Sequence, residues 1–116
     1  RAIATQNNLP KTSAEITFSD GYPAMAPTDG DQRLLALLSQ TSEDLGYGPV
    51  TAFDPGKRGA ADISFVADYV DALDGIGIEG RGAHALNEEI DLNTLPMLIE
   101  RAAVLMYRIS QQGALN

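Results

Sequence analysis

The sequence predicts an α/β fold in which a mostly parallel sheet is covered by helices. Two observations lead to this fold class. Short apolar or alternating runs, typical of strands, alternate along the chain with longer segments whose apolar residues recur at helical spacing. Strands that alternate with helices usually form a parallel sheet. The predicted strands are residues 14–18, 49–53 and 75–78, and the predicted helices begin near residues 29, 62 and 94.

The first and last helices have the clearest signals. Thr28 or Asp29 is suited to cap the first, and Gly46 is a natural left-handed stop for it. The last helix is predicted to begin at Asn93 or Thr94. Its apolar stripe comprises Leu95, Leu98, Ile99, Ala102, Leu105, Met106 and Ile109.

The middle helix is predicted to begin at Asp62, which has the side chain of a helix cap. Its expected apolar face comprises Ile63, Val66, Ala67, Val70 and Leu73. The first predicted strand places Ile16 and Phe18 on one face, so these two side chains are expected to be half buried.

Composition excludes several classes of function. At 116 residues the chain is one domain or less. Its net charge of -8 repels phosphate backbones, so nucleic acid is not an expected partner. No apolar run approaches the roughly 18 residues of a membrane span, and the balance of residues is typical of a soluble protein; the compartment is not predicted. With no cysteine and a single histidine, any metal must be bound by imidazole and carboxylates.

Two glycine-containing segments are candidates for ligand binding. Gly75, Gly77 and Gly80 fit the spacing of a dinucleotide-binding loop, but they lead into another loop rather than a helix, so the match is weak. The second segment, residues 59–62, is predicted to join a strand to a helix N-terminus, where backbone amides can bind an anion. A tight turn without a ligand is the alternative for both segments.

His84 is the third candidate. It follows a glycine-rich loop and precedes Glu88 and Glu89. A lone histidine is more often an ordinary surface residue than a ligand, and a catalytic zinc ion normally takes three protein ligands. Taken alone, the residues around His84 do not make a complete metal site.

The order of these segments resembles the C-terminal region of the glutamate carboxypeptidase family, which includes aminoacylases and succinyl-diaminopimelate desuccinylases. The resemblance runs from Gly59-Ala60-Ala61-Asp62, through a helix and the glycine-containing stretch 73–84, to the acidic stretch 88–92 and a long closing helix. It implies that residues 1–22 are the last strand and exit of an inserted dimerisation (lid) domain. It also implies that residues 23–116 are the C-terminal part of a zinc-exopeptidase catalytic domain.

The resemblance further implies a hydrolase with two zinc ions, for which cobalt can substitute, acting on an amide bond next to a free carboxylate. Small peptides or N-acyl amino acids are the implied substrates, and a homodimer is the implied assembly. His84 matches the last metal ligand, Gly59 and Ala60 match a loop that holds the substrate carboxylate, and Glu88 matches an acid expected to orient His84. No catalytic residue is expected in this chain.

Ala61 stands where many relatives have a hydroxyl residue, so one substrate contact of the family is missing. Because the chain begins with Arg1 rather than Met, we expect a processed, cut or cloned fragment. The resemblance implies that it is inactive alone, since it would supply one ligand of a two-metal site and no general base. The alternatives are a stand-alone α/β binding module and a relative that has lost catalysis and acts through interactions.

Overall fold

The computed structural model describes residues 9–57 and 59–113, without the side chains of Pro55 and Gln112. In this part of the chain there are two α-helices, α1 (Asp29–Asp44) and α2 (Leu95–Gln112). Two short 3-10 helices, Pro55–Lys57 and Asp62–Phe65, lie between them. The strands β1 (Gly80–Arg81) and β2 (Glu89–Ile90) form a two-stranded antiparallel sheet.

Helix α1 begins and ends as its sequence predicts. The hydroxyl of Thr28 accepts a hydrogen bond from the Asp31 amide (3.1 Å), and the Thr28 amide donates to Asp31 Oδ2 (3.0 Å). This reciprocal pair satisfies two backbone amides that the first helical turn leaves unpaired. At the other end, Gly46 takes the predicted left-handed conformation (φ 81°) and ends the helix.

The core lies where α1 and α2 contact each other. Leu38 of α1 and Leu98 and Leu105 of α2 are buried, and Ala72 is the fourth buried apolar residue in the described chain. Hydrogen bonds from Arg108 of α2 also join the two helices. The Arg108 guanidinium donates to Asp44 Oδ2 (2.6 Å), and its other terminal nitrogen donates to the Thr41 hydroxyl (3.2 Å).

The predicted strands are wrong for the described residues. Residues 14–18, 49–53 and 75–78 form no regular strand, and the sheet that is present is antiparallel rather than mostly parallel. A strand of a parallel sheet is stable only when neighbouring strands take its backbone hydrogen bonds. These segments have no such neighbour in the described chain, and Ile16 and Phe18 are exposed rather than half buried.

The predicted middle helix is also wrong beyond its first turn. It is a 3-10 helix of four residues, capped by the backbone of Ala61, and turns follow it. The carboxylate of Asp62 accepts a hydrogen bond from the Tyr22 hydroxyl (3.0 Å) instead of capping the helix. Val66 and Val70 are both about half exposed, so the predicted apolar face is not buried as a whole.

Asp31 ties the start of α1 to a distant part of the chain. Its side chain is buried, and Oδ1 accepts a hydrogen bond from the Ala72 amide (2.7 Å). This bond, together with those from Thr28, holds the pKa of the Asp31 carboxyl below its ordinary value, against the opposing effect of burial.

We therefore expect Asp31→Ala to lower the free energy of unfolding by about 2–4 kcal/mol, from the helix cap and a charge-assisted hydrogen bond. The folded-state pKa is depressed. The stabilisation should thus be complete above the pKa of the unfolded chain and be lost as the pH falls through the folded-state pKa. Urea unfolding of the 116-residue chain at several pH values measures both effects.

Asp29→Ala is the matched control, because Asp29 is exposed in the same first turn. Its cost should be smaller, limited to the interaction of its charge with the helix dipole. Equal stability of the two variants would show that the bond to the Ala72 amide contributes nothing.

Candidate functional site

His84 lies in the seven-residue loop that joins β1 to β2. The two strands pair in the register Gly80↔Ile90 and Arg81↔Glu89, so the loop covers residues 82–88. The sequence predicted a loop here but not the strand pair beneath it. Two residues per strand are too few for an alternating pattern to be recognised.

Side-chain and backbone bonds hold the base of this hairpin together. The Arg81 guanidinium donates twice to Glu89 Oε2, at 2.6 and 3.0 Å. The Asp91 amide donates to the Glu79 carbonyl (2.9 Å) and extends the pairing past the strands. Since the Arg81–Glu89 ion pair is exposed, it adds little stability alone. It places the Glu89 carboxylate against Arg81 through Oε2, so Glu89 is the paired acid of the hairpin.

The loop itself is tightly turned. The Ala85 amide donates to the Gly82 carbonyl (2.8 Å), and the Glu88 amide donates to the Ala85 carbonyl (3.2 Å). Gly82 (φ 69°) and His84 (φ 65°) are both left-handed. Histidine is one of the few residues with a side chain that adopts this conformation with some frequency, and unusual backbone geometry concentrates at functional sites.

The imidazole of His84 is exposed at the end of the hairpin. Glu88 is exposed in the same loop, and no hydrogen bond or ion pair joins its side chain to His84 in residues 79–91. The role of Glu88 in orienting the histidine stays a prediction. The described residues also contain no group of three histidine or acidic side chains close enough to hold a metal ion.

A shallow depression beside the hairpin is lined by Glu79, Gly80, Arg81, Glu89, Ile90 and Asp91. Its carboxylates face solvent on the strand pair. Acidic groups of this kind are expected on a surface of net charge -8, and the depression gives no separate evidence of a ligand.

Gly59 and Ala60 are exposed between the two 3-10 helices. A Cβ atom added at Gly59 would meet nothing within 4 Å, so the backbone is open to approach from that side. The helix N-terminus that was expected to attract an anion is a 3-10 helix of four residues, too short for a substantial dipole. Anion binding at this loop stays a prediction, and it would have to use the exposed backbone together with Lys57; Arg58 lies outside the described residues.

The glycines of the dinucleotide-like spacing lie apart from any helix start. Gly75 is left-handed (φ 71°), Gly80 belongs to β1, and a hairpin follows them. The pattern has a structural explanation here: Gly80 allows the close approach of the two strands, because a Cβ atom there would collide with the carbonyl oxygen of Glu89.

Together these features define an α/β chain that presents one imidazole on a hairpin and an open glycine loop elsewhere. Neither helix in the described residues is long and apolar enough to cross a membrane. A family model described as peptidase family M20/M25/M40 matches residues 4–108, which is most of the chain. The chain therefore belongs to this family of hydrolases, whose peptidases are generally metal-dependent. No curated protein and no solved structure gives a significant match.

Proposed function

We propose that this chain is the C-terminal part of a zinc-dependent hydrolase that cleaves an amide bond next to a free carboxylate. The observation that supports this most is the exposed, left-handed His84 on its hairpin, in a chain whose residues 4–108 match a peptidase family. The proposal extends to the site: His84 binds a metal ion, and Gly59 and Ala60 contact the substrate carboxylate.

A neutral imidazole suits zinc, and the hairpin can hold that imidazole in a fixed place. A ligating histidine usually donates its second ring N–H to a carboxylate or carbonyl, which sets the ring orientation. Glu88 is the acid available for this role in the loop, because Glu89 is bound to Arg81. Bound zinc would polarise the scissile carbonyl and lower the pKa of a bound water.

The described residues supply only part of the ligand set of such a metal centre. A catalytic zinc ion takes three protein ligands, whereas this part of the chain supplies one imidazole and no cluster of three candidate ligands. The proposal therefore requires that the remaining ligands and the general base come from residues outside those described. What these residues contribute is one ligand and the positioning of that ligand.

The distribution of apolar side chains supports a larger catalytic domain. Tyr107 and Met106 of α2 are 65% and 64% exposed, and Ile99 on the same helix is 60% exposed, so α2 has a second apolar face beside the one packed on α1. Segments 50–53 and 72–76 line an open groove of about 460 Å³, also walled by Leu35. Single exposed apolar residues are ordinary, but such extended surfaces mark sites of contact.

In the proposed domain these surfaces pack against the rest of the same catalytic domain. Segments 49–53 and 75–78 would then gain the strand neighbours that a mostly parallel sheet requires. Residues 1–22 would be the last strand and exit of a lid domain through which two copies form a homodimer. Substrates would be small peptides or N-acyl amino acids, with zinc or cobalt as the metal.

The test compares the 116-residue chain with the longer polypeptide that the proposal requires. With zinc or cobalt added, the chain alone should not hydrolyse N-acyl or glutamyl substrates, since it has one ligand and no general base. The longer polypeptide should hydrolyse them, lose activity on chelation, and regain it when zinc is restored.

Two results would contradict the proposal. One is hydrolysis by the 116-residue chain that persists through repeated purification. The other is a longer polypeptide that binds metal but cleaves none of these substrates, which would favour a relative that acts through interactions.

A further inference from the structure

Tyr22 makes two side-chain contacts with the segment that follows the Gly59 loop. Its hydroxyl donates to Asp62 Oδ1 (3.0 Å), and its ring lies against that of Phe65, with centroids 4.9 Å apart and planes inclined by 58°. A tilted pair at this distance is a favourable aromatic geometry. Forty residues of chain separate Tyr22 from Asp62, so these contacts hold together two segments that are far apart in sequence.

The Asp62–Phe65 turn is joined directly to the loop. The Ala61 carbonyl accepts hydrogen bonds from the Ser64 amide (3.0 Å) and the Ser64 hydroxyl (2.7 Å), and Ser64 is buried. This pair fixes the end of the loop to the turn. Whatever fixes the turn therefore also fixes Ala61, the residue that follows Gly59 and Ala60 in the loop.

Other anchors of this turn are weak. It is a single 3-10 turn whose cap has no side-chain hydrogen bond, and a Cβ atom at Gly59 would have no neighbour. A loop with few packing contacts samples several conformations unless a specific contact selects one. Tyr22 supplies such a contact from the opposite segment.

Resting on the function proposed above, we infer that Tyr22 is a positioning residue for the substrate loop. Its hydrogen bond to Asp62 and its ring contact with Phe65 hold the Gly59–Ala61 backbone in the conformation that receives the substrate carboxylate. Tyr22 is also the last residue of the proposed lid-domain exit, 1–22. The same contacts thus tie the place where the lid joins the catalytic domain to the place where substrate binds.

The bond also has a titration signature. The Asp62 carboxylate, first as hydrogen-bond acceptor and then as a nearby charge, raises the pKa of the Tyr22 phenol above its ordinary value. Replacing Asp62 by Ala should return this phenol to an ordinary titration, which can be followed by tyrosinate absorbance. Asp62→Asn keeps an acceptor oxygen but removes the charge.

The test uses Tyr22→Phe, which removes the hydrogen bond and keeps the ring. In the 116-residue chain, hydrogen exchange of the Ser64 and Val66 amides, both bonded within this turn, should become about three- to tenfold faster. In the longer polypeptide, KM for carboxylate-bearing substrates should rise by a similar factor while kcat changes little. Tyr69→Phe is the matched control, because Tyr69 is the most exposed tyrosine in the same region.

Asp62→Asn should stay close to the unaltered protein in exchange, since its amide oxygen can still accept the bond. Unchanged exchange at Ser64 and Val66 in Tyr22→Phe would overturn the inference, whatever the kinetics. Faster exchange with unchanged KM would also overturn it, because the turn would then be held without serving substrate. Gly59→Val would crowd the approach of a substrate to the loop backbone. If this variant also leaves KM unchanged, the proposal that the Gly59 loop binds the substrate carboxylate is wrong.

Discussion

Replacing His84 by Ala should lower the hydrolytic rate of the longer polypeptide by several powers of ten. On the proposed assignment, the substitution would remove one imidazole from a zinc ion and leave that ion with too few protein ligands. Metal content should fall, or one ion should bind much more weakly. In the 116-residue chain alone the same change should have almost no effect on metal content, because a single exposed imidazole cannot hold zinc strongly.

Because the backbone at His84 is left-handed, the experiment needs a second variant, His84→Gly. Alanine has no special tolerance for φ 65°, whereas glycine adopts it without strain. His84→Gly should therefore be more stable to unfolding than His84→Ala by about 1 kcal/mol. Both variants lack the imidazole, so both should lose metal and activity to the same extent.

This pair separates ligation from loop geometry. Recovery of activity in His84→Gly but not in His84→Ala would mean that the backbone conformation matters and the imidazole does not. Two retained zinc ions and near-normal turnover in both variants would refute the assignment of His84 as a ligand. Metal analysis beside the kinetics is the deciding measurement.

The parts of the fold that were predictable are those set by local interactions. The start of α1 at the Thr28 cap and its end before Gly46 follow from capping residues, and the position of α2 follows from helical spacing. These signals act within one or two turns of the chain. They do not depend on what the helix later packs against.

The strand predictions were wrong because strands depend on interactions with distant segments. Apolar runs such as 49–53 and 75–78 indicate burial, but a sheet needs neighbours that local sequence does not specify. The link between Asp31 and the Ala72 amide spans 41 residues, and the contact of Tyr22 with Asp62 spans 40. Neither has a local signal, so only the three-dimensional structure reveals them.

Some features of the candidate site could likewise be predicted from the sequence, and others could not. His84, Gly59 and Ala60 could be selected from sequence because their residue types and order are distinctive. The hairpin that presents His84 could not, since its strands are two residues long and their pairing is set by the close approach at Gly80. The roles of these residues are implied by the family resemblance and stay predictions.

Gly80 gives the second large effect, because it tests the hairpin without removing the imidazole. A Cβ atom at this position would collide with the Glu89 carbonyl oxygen and lie 3.2 Å from the Ile90 Cα, both parts of the opposing backbone. Backbone atoms cannot rotate away as a side chain does. Gly80→Ala should therefore separate β1 from β2 and shift the loop that carries His84.

A displacement of about 1 Å at a catalytic centre can reduce the rate by roughly a hundredfold, so we expect a loss of that order in the longer polypeptide. Gly77→Ala is the control, since a Cβ atom there meets nothing within 4 Å and Gly77 is not left-handed. The imidazole survives in Gly80→Ala, so excess zinc should restore a larger part of the lost activity there than in His84→Ala. If Gly80→Ala behaves like Gly77→Ala, the strand pair does not position His84. The histidine would then have to be held by contacts outside residues 79–91.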